Sequence, residues 1–379
     1  MDFSYSREQE MVKKMLKEFA ETEIEPIAEE IDAEARYPYE TVAKLGKLGV
    51  MGMPFPEEYG GAGADYLTYI MAVEEISKVC ASHGVIVQTH NALCCWPIFT
   101  YGTEEQKQKY LPKLLSGEHL GAFGLTEPNA GTDAAMQQTT AKDMGDHWLL
   151  NGSKVFISGG GIADVYVIMA MTDKSKGNKG ISAFIVEKGM PGFSRGKKEN
   201  KMGIRGSIAA ELVFEDCVVP KENLLGQLGK GFKVAMSSLD VGRLGIAAQA
   251  LGIAQGAFDQ TVAYMKQRKQ FGRSLDKFQA LAFEMANMKT RIDGSRFLLY
   301  NACNCRDRGL SSTVEAAQAK LSCSETASYV VDKAVQFHGG YGYIKDYPVE
   351  RMYRDQKITE IYEGTSEVMK MVISGDIFK

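Results

Sequence analysis

An α+β fold is predicted by three observations along the chain. Apolar residues recur at helical spacing up to about residue 120, β-rich runs separated by Gly, Pro and Asn turns fill 121–228, and long periodic segments fill 229–379. The order helices, strands, helices argues against an alternating α/β chain. The expectation is an N-terminal helical domain (1–120), a middle antiparallel β domain (121–228) and a C-terminal four-helix bundle (229–379). Composition agrees, since 379 residues with 45% hydrophobic and 24% charged side chains hold ample material for a core.

In the first third, Met11, Met15, Phe19 and Ile24, with Val12 and Leu16 beside them, predict one amphipathic helix from Ser6 to Ala35. Further helices are expected at Tyr39–Leu48, Tyr66–Val79 and Glu104–Leu115, separated by Pro54-Phe55-Pro56 and the glycine-rich Tyr59–Gly63. In the middle, Trp148–Leu150 and Ser153–Ile157 flank Asn151-Gly152, the strongest short signal for a hairpin. Strands follow at Asp164–Thr172, Ile181–Glu187 and Ala210–Pro220. After Gly231, four helices are expected at Phe232–Met265, Asp276–Arg306, Thr313–Phe337 and Tyr353–Ile373.

Several function classes fall away. With 44 basic against 48 acidic residues the net charge is −4, so no basic field exists to displace counterions from nucleic acid. The longest apolar run, Val165–Met171, is far short of the roughly 20 residues that span a bilayer. Seven cysteines without C-x-x-C pairs point to a reducing compartment, and Met1-Asp2-Phe3-Ser4 lacks the pattern of a signal peptide, so a cytoplasmic protein is expected. The five histidines form no H-E-x-x-H, so no metal site is expected, and His338 is read as a helix C-terminal cap before Gly339-Gly340. Ser158–Asp164 is glycine-rich but lies between strands, which excludes a Rossmann fingerprint. Gly226–Gly231 lacks the Walker spacing and leads into the first bundle helix.

Two segments stand out. Gly124–Asp133 crowds hydroxyls, carboxylates and turn formers together, which suits a loop presenting polar groups to a ligand as well as an end satisfied by its own side chains. Ile358–Glu367 ends an apolar run in Glu363-Gly364-Thr365-Ser366, where Thr365 or Ser366 caps a last helix with Glu367 in its first turn. Glu363 precedes the cap. Among Ile361, Tyr362 and Gly364 its carboxylate would have a raised pKa suited to a general base, although most glutamates in such contexts are solvated.

Together, Leu125-Thr126-Glu127-Pro128-Asn129-Ala130-Gly131-Thr132-Asp133 and Ile361-Tyr362-Glu363-Gly364-Thr365 resemble the acyl-CoA dehydrogenase family. So do Arg268-Lys269-Gln270-Phe271-Gly272, Gln336–Gly342 and Tyr347–Arg351, and the similarity is nearest to short-chain members of the butyryl-CoA dehydrogenase and acryloyl-CoA reductase types. The resemblance implies FAD, with Phe123, Leu125, Thr126, Phe156 and Ser158 around its ring and Thr365 and Glu367 near its adenosine. It assigns Arg268, Phe271, Gln336 and Gly340 to a neighbouring subunit's cofactor in a homotetramer. Thr132 and Asp240 would touch CoA, Arg243 would lie near the base, and Tyr362 and Gly364 would face the substrate. Glu363 would be the base, because Gly242 stands where some relatives carry it on the first bundle helix. Met136, Phe156 and Gly159 depart from common residues of the family.

The implied activity is the interconversion of a short-chain acyl-CoA and its trans-2-enoyl-CoA, by α-proton abstraction and β-hydride transfer to flavin N5. Electrons would be exchanged with an electron-transferring flavoprotein. The same residues would serve an enoyl-CoA reductase of acrylyl or arylacrylyl thioesters in a complex with that flavoprotein, or an enzyme passing electrons to dioxygen. A noncatalytic acyl-CoA-binding scaffold is the alternative from another class, and it would have no need of Glu363. Ala81–Pro97, which matches the acyl-pocket region, contains no Arg or Lys, which disfavours a second carboxylate on the substrate.

Overall fold

The computed structural model describes residues 5–379, so the start Met1–Ser4 lies outside the described residues. The chain opens with α1 (Arg7–Phe19), fixed by a capping box in which Ser6 accepts from the Gln9 amide and the Gln9 side chain accepts from the Ser6 amide. The single helix expected over Ser6–Ala35 is interrupted. A π turn at Ala20–Ile24 precedes α2 (Glu25–Glu34), whose Pro26 has no N–H to continue the ladder. α3 (Tyr39–Lys47) and α4 (Tyr66–Ser77) lie where periodicity placed them.

The sequence reading missed α5 (Ala81–Thr89) and α6 (Trp96–Tyr101), which are joined by a second π turn at His90–Cys95, just ahead of Pro97. Every residue of α5 is buried, so it has no polar face and no amphipathic period to detect. α7 (Glu104–Leu115) has the predicted bounds.

The middle region forms one sheet from β1 (Gly121–Gly124), β2 (Thr140–Asp143), β3 (His147–Ser158), β4 (Val165–Met171), β5 (Ile181–Glu187), β6 (Phe193–Lys198), β7 (Ala209–Pro220) and β8 (Leu224–Leu225). Its order is β6-β7-β3-β2-β4-β5-β8, with β1 also on β4. Pairing is antiparallel except for β1 with β4 and the single Thr140–Met171 pair of β2 with β4, which are parallel. The wholly apolar β4 is explained by its two faces: Val167 and Met169 pack against the helices, whereas Tyr166 and Ile168 pack with Trp148 and Phe214. β6 is mostly exposed, so it carried no apolar alternation to read.

Asn151-Gly152 does not make a hairpin. β3 runs straight through it, and the pairing with β7 slips between Leu150 and Gly152. The two residues form a bulge in which Asn151 donates to the Asp216 carboxylate at 3.0 Å and accepts from the Asp216 amide at 2.9 Å. Gly152 has φ 141 and packs so closely on Thr139 that a Cβ there would overlap its backbone. Asn-Gly serves a positive φ here as well, but inside a strand.

The C-terminal region contains α8 (Gly231–Gln267), a small hairpin of β9 (Lys269–Gln270) and β10 (Arg273–Ser274), α9 (Gln279–Asp307) and α10 (Thr313–His338). The expected fourth helix over Tyr353–Ile373 is broken into α11 (Val349–Gln356), a 3-10 turn at Lys357–Glu360, and α12 (Ser366–Ile377). One core joins the first helices to this bundle, with Leu16, Tyr69 and Val85 packed in the same cluster as Leu244, Leu251 and Val330. Among the described residues no helix is long and apolar enough to cross a membrane.

Gly152→Ala is expected to destabilise the protein by about 2 kcal/mol through overlap with Thr139 and the left-handed backbone. Chemical denaturation measures this; an unchanged midpoint would contradict the bulge as described.

Candidate active site

The break between α11 and α12 is built from two consecutive residues of positive φ, Glu363 (φ 54) and Gly364 (φ 101), after which Thr365 caps α12 by accepting from the Val368 amide at 3.3 Å. Left-handed backbone costs a glutamate about 1 kcal/mol or more, so the turn needs external support. Two buried cations supply it. Arg243 on α8 donates through Nε to the Glu363 carbonyl at 3.3 Å, and Lys320 on α10 donates to the Gly364 carbonyl at 2.6 Å. Arg243 is itself held by Asp240 at 2.7 Å, and Thr313 at the start of α10 donates to the other oxygen of Asp240 at 2.8 Å.

The Glu363 carboxylate points toward α5 and α8. Its Oε1 accepts from Gln88 Nε2 at 3.0 Å, and the same nitrogen donates to the Gly242 carbonyl at 3.0 Å. Its Oε2 is enclosed and has no partner among the described residues, although the residue as a whole is half-buried. That oxygen lies against Gly242, where a Cβ would overlap it. Burial pushes the carboxyl up to about 7, opposed by the Gln88 hydrogen bond and by the charges of Lys320 and Arg243. The Glu363 amide N–H makes no hydrogen bond among the described residues. Tyr362 reaches the same two helices farther along, its hydroxyl donating to Gln249 of α8, which in turn donates to the Ala81 carbonyl at the start of α5 at 2.9 Å.

Five of the sequence-predicted residues therefore meet at one place: Glu363, Gly364, Arg243, Asp240 and Tyr362. Gln88 and Lys320 complete it and were not anticipated. Gln88 lies on the helix that left no periodic signal, whereas Lys320 could have been noticed as a lysine among Ala316, Ala317, Ala319 and Cys323.

A second group gathers on the sheet. Phe123 is on β1, Leu125 and Thr126 follow it, and Phe156 and Ser158 end β3; the Val155 amide donates to the Thr126 carbonyl at 2.9 Å and ties the two segments together. Phe156 sits at a second irregularity of β3, with φ 60 and 67% of its surface exposed. Behind it the buried Lys154 donates to the Leu125 carbonyl (3.1 Å), to Glu127 (2.7 Å) and to Gln137 (3.1 Å), and Glu127 also accepts from the Thr139 amide at 3.0 Å. Glu127 is thus an internal anchor, while Thr132 is exposed at the loop tip. Thr365 is half-buried at its cap and Glu367 is exposed in the next turn.

The third group is remote. Arg268, Gln336 and Gly340 line a cleft of about 450 Å³ with Tyr264, His338 and Tyr341. Phe271 stands at the tip of the β9–β10 hairpin, 94% exposed with φ 51. Arg268 lies roughly 37 Å along α8 from Arg243 by helical rise, so this cleft cannot meet the Glu363 turn within one chain. His338 ends α10 and is stacked on Tyr264 at 4.2 Å, which agrees with a capping and packing role.

An aromatic cavity of about 440 Å³, lined by Phe55, Tyr66, Tyr69, Trp96 and Val241, opens next to residue 242. Arg306 on α9 also lines it, with its guanidinium over the rings of Tyr66 (4.6 Å) and Trp96 (5.3 Å). The lack of a cation in Ala81–Pro97 therefore does not leave this cavity without one.

Family models described as the N-terminal, middle and C-terminal domains of acyl-CoA dehydrogenase match residues 6–118, 122–217 and 229–378. The chain is 62% identical over its whole length to the short-chain specific acyl-CoA dehydrogenase of Clostridium acetobutylicum, covering 100% of both chains. It is 52% identical to the acryloyl-CoA reductase (NADH) of Anaerotignum propionicum, covering 100% of this chain and 96% of the relative. Butyryl-CoA dehydrogenase from Megasphaera elsdenii superposes with a TM-score of 0.98 at 51% identity, over 100% of both chains. A chain in the structure described as the electron transferring flavoprotein of Acidaminococcus fermentans superposes with a TM-score of 0.99 at 55% identity, again over 100% of both.

Glu127→Ala would strand the buried Lys154 ammonium and is expected to lower stability by about 3 kcal/mol or more. A denaturation midpoint like that of the parent would show that Glu127 does not compensate this charge.

Proposed function

The chain belongs to the acyl-CoA dehydrogenase family, and from that premise we propose that it interconverts a short-chain acyl-CoA and its trans-2-enoyl-CoA, with Glu363 as the base. The observation that carries this reading is the Glu363 carboxylate. One oxygen is fixed by Gln88, the other is unpartnered against the bare surface of Gly242, and the group is poised to titrate near neutrality. A solvated surface glutamate has none of these features.

An α-proton next to a thioester is a weak acid, so its removal needs a base of raised pKa and donors for the carbonyl oxygen as negative charge develops. The free Glu363 amide N–H is such a donor, and Gly364 next to it has no side chain to block the approach. Arg243 and Lys320 hold the two carbonyls of this turn away from the same space. Asp240, Thr132 and Tyr362 are assigned to the remainder of the acyl-CoA.

FAD is the proposed cofactor and supplies the acceptor for the β-hydride when bound. The fit rests on Phe156, an exposed aromatic in strained backbone beside Thr126 and Ser158, which suits a flat ring packed over it. Phe123 and Leu125 complete that face, and Thr365 and Glu367 lie toward the adenosine. Arg268, Gln336, Gly340 and the exposed Phe271 are too distant for their own chain's base and are assigned to a neighbouring subunit's cofactor, which implies the homotetramer. On this reading 1–120 contributes Gln88, 121–228 the ring-holding residues and 229–379 the base.

In the opposite direction Glu363 returns a proton to the α-carbon of an enoyl-CoA, and kinship with an acryloyl-CoA reductase supports that direction as the second reading. An electron-transferring flavoprotein is the proposed redox partner, and the cytoplasm the proposed compartment.

With FAD and butyryl-CoA under anaerobic conditions, Glu363→Gln is expected to slow flavin bleaching about 10³-fold or more. The base must be ionised, and its pKa is raised, so kcat/KM should fall about tenfold per pH unit below about 7 and level off above it. A Glu363→Gln protein that bleaches at the parental rate would favour the scaffold.

A further inference from the structure

Lys320 is completely buried, and the side chains around it on α10 are small: Ala316, Ala317, Ala319 and Cys323. Among the described residues its single acceptor is the Gly364 carbonyl and no carboxylate lies within salt-bridge distance of it. An ammonium in that position carries a desolvation cost of several kcal/mol that a methionine of similar length would avoid. Packing alone does not account for a lysine here.

We propose that Lys320 is a positioning residue for the base, holding the left-handed Glu363–Gly364 turn through the Gly364 carbonyl and directing an unneutralised positive charge at the Glu363 carboxylate. The inference rests on the reading of Glu363 as the base. The groups facing Glu363 can be taken element by element. From α4 come the hydroxyls of Tyr66 and Tyr69, both neutral, and from α5 comes the neutral amide of Gln88. From α8 comes Arg243, whose charge is already matched by Asp240 at 2.7 Å. Lys320 from α10 is the cation left without such a match. The charge of Glu363 favours the ammonium form of Lys320 and that of Arg243 disfavours it, while Glu360 is paired with Lys357 and Glu367 is exposed. Burial lowers the Lys320 ammonium to about 8 and the Glu363 charge opposes that shift, so each group helps keep the other ionised.

The division of labour follows. Both cations anchor the turn and favour the ionised base, but the Arg243 charge is shared with Asp240, whereas that of Lys320 has no paired carboxylate among the described residues. Removing the charge at 320 should leave Glu363 in an apolar pocket with less to oppose its desolvation, so its pKa should rise.

The test is the carboxyl titration of Glu363 in the apoprotein, read as the infrared difference between each protein and its Glu363→Gln counterpart, in wild type, Lys320→Met, Lys320→Gln and Lys320→Arg backgrounds. The midpoint is expected to rise by about one pH unit or more in Lys320→Met and Lys320→Gln and to stay near the parental value in Lys320→Arg. Correspondingly, kcat/KM of the FAD-loaded Lys320→Gln protein should be depressed about tenfold at pH 6.5 and recover toward the parental value at pH 8.5. If Lys320→Met fails to fold, Lys320→Gln, which retains a donor for Gly364 without the charge, decides the matter. A midpoint that does not move in Lys320→Gln, or an activity loss equal at every pH, overturns the proposal. The infrared midpoint needs neither cofactor nor substrate. A shifted midpoint in a protein inert toward acyl-CoA would therefore count against the dehydrogenase reading and leave the charge coupling intact.

Discussion

Glu363 occupies the left-handed region of backbone space, where a side chain is unwelcome, and the C-terminal half of the molecule is arranged to keep it there. A continuous helix through residues 353–373 would place Glu363 at an ordinary helical position, with its amide committed to a backbone bond. Breaking the helix frees that amide and turns the carboxylate inward, but it leaves two carbonyls without helical partners. A buried cation meets each of them, Arg243 on α8 and Lys320 on α10. The length and close packing of those two helices therefore have a local purpose, since a cation from each must reach the same turn. Thr313 and Asp240 extend the clamp and connect the start of α10 to the middle of α8.

The sheet solves a related problem with different chemistry. The loop that follows β1 must present backbone and hydroxyl groups outward without collapsing, and it is pinned from behind by Lys154 and Glu127, an ion pair almost wholly buried. Each partner has other hydrogen bonds: Lys154 to two carbonyl oxygens, Glu127 to two backbone amides. Such saturation is what allows a buried ion pair to persist. With the loop fixed, β3 can deviate at Phe156 and expose an aromatic ring in a conformation that is costly unless something covers it.

Much of this was legible in the sequence wherever an element has one wet face. α3 and α7 appear at or within one residue of their predicted limits because burial on one face imposes a period on them. Where both faces are buried the period vanishes, as in α5, or gives only a bare apolar run, as in β4. Local signals also have more than one physical solution. Asn151-Gly152 supplies the positive φ that a two-residue turn needs, and a bulge needs it equally. The contrast between Tyr353–Ile373 and the observed break is more instructive, because the helical period continues on both sides of the turn and only Gly364-Thr365 marks the interruption. Gln88 was invisible for another reason. Its importance comes from a contact with a residue 275 positions away, which no local pattern encodes.

The relation between positions 242 and 363 shows how strongly the site constrains the chain. Glu363 Oε2 fills the space that a Cβ at 242 would need, so the two positions share one volume. A carboxylate could in principle enter that volume from α8 or from the turn after α11, and the sequence noted both places. Entry from α8 would bring a rigid helical residue whose backbone N–H is already hydrogen-bonded, so it would offer the proton acceptor alone. Entry from the turn brings the acceptor together with a free amide N–H on the same residue, at the cost of a strained backbone. Glycine at 242 and the left-handed glutamate at 363 are thus two halves of one solution, and neither would make physical sense without the other.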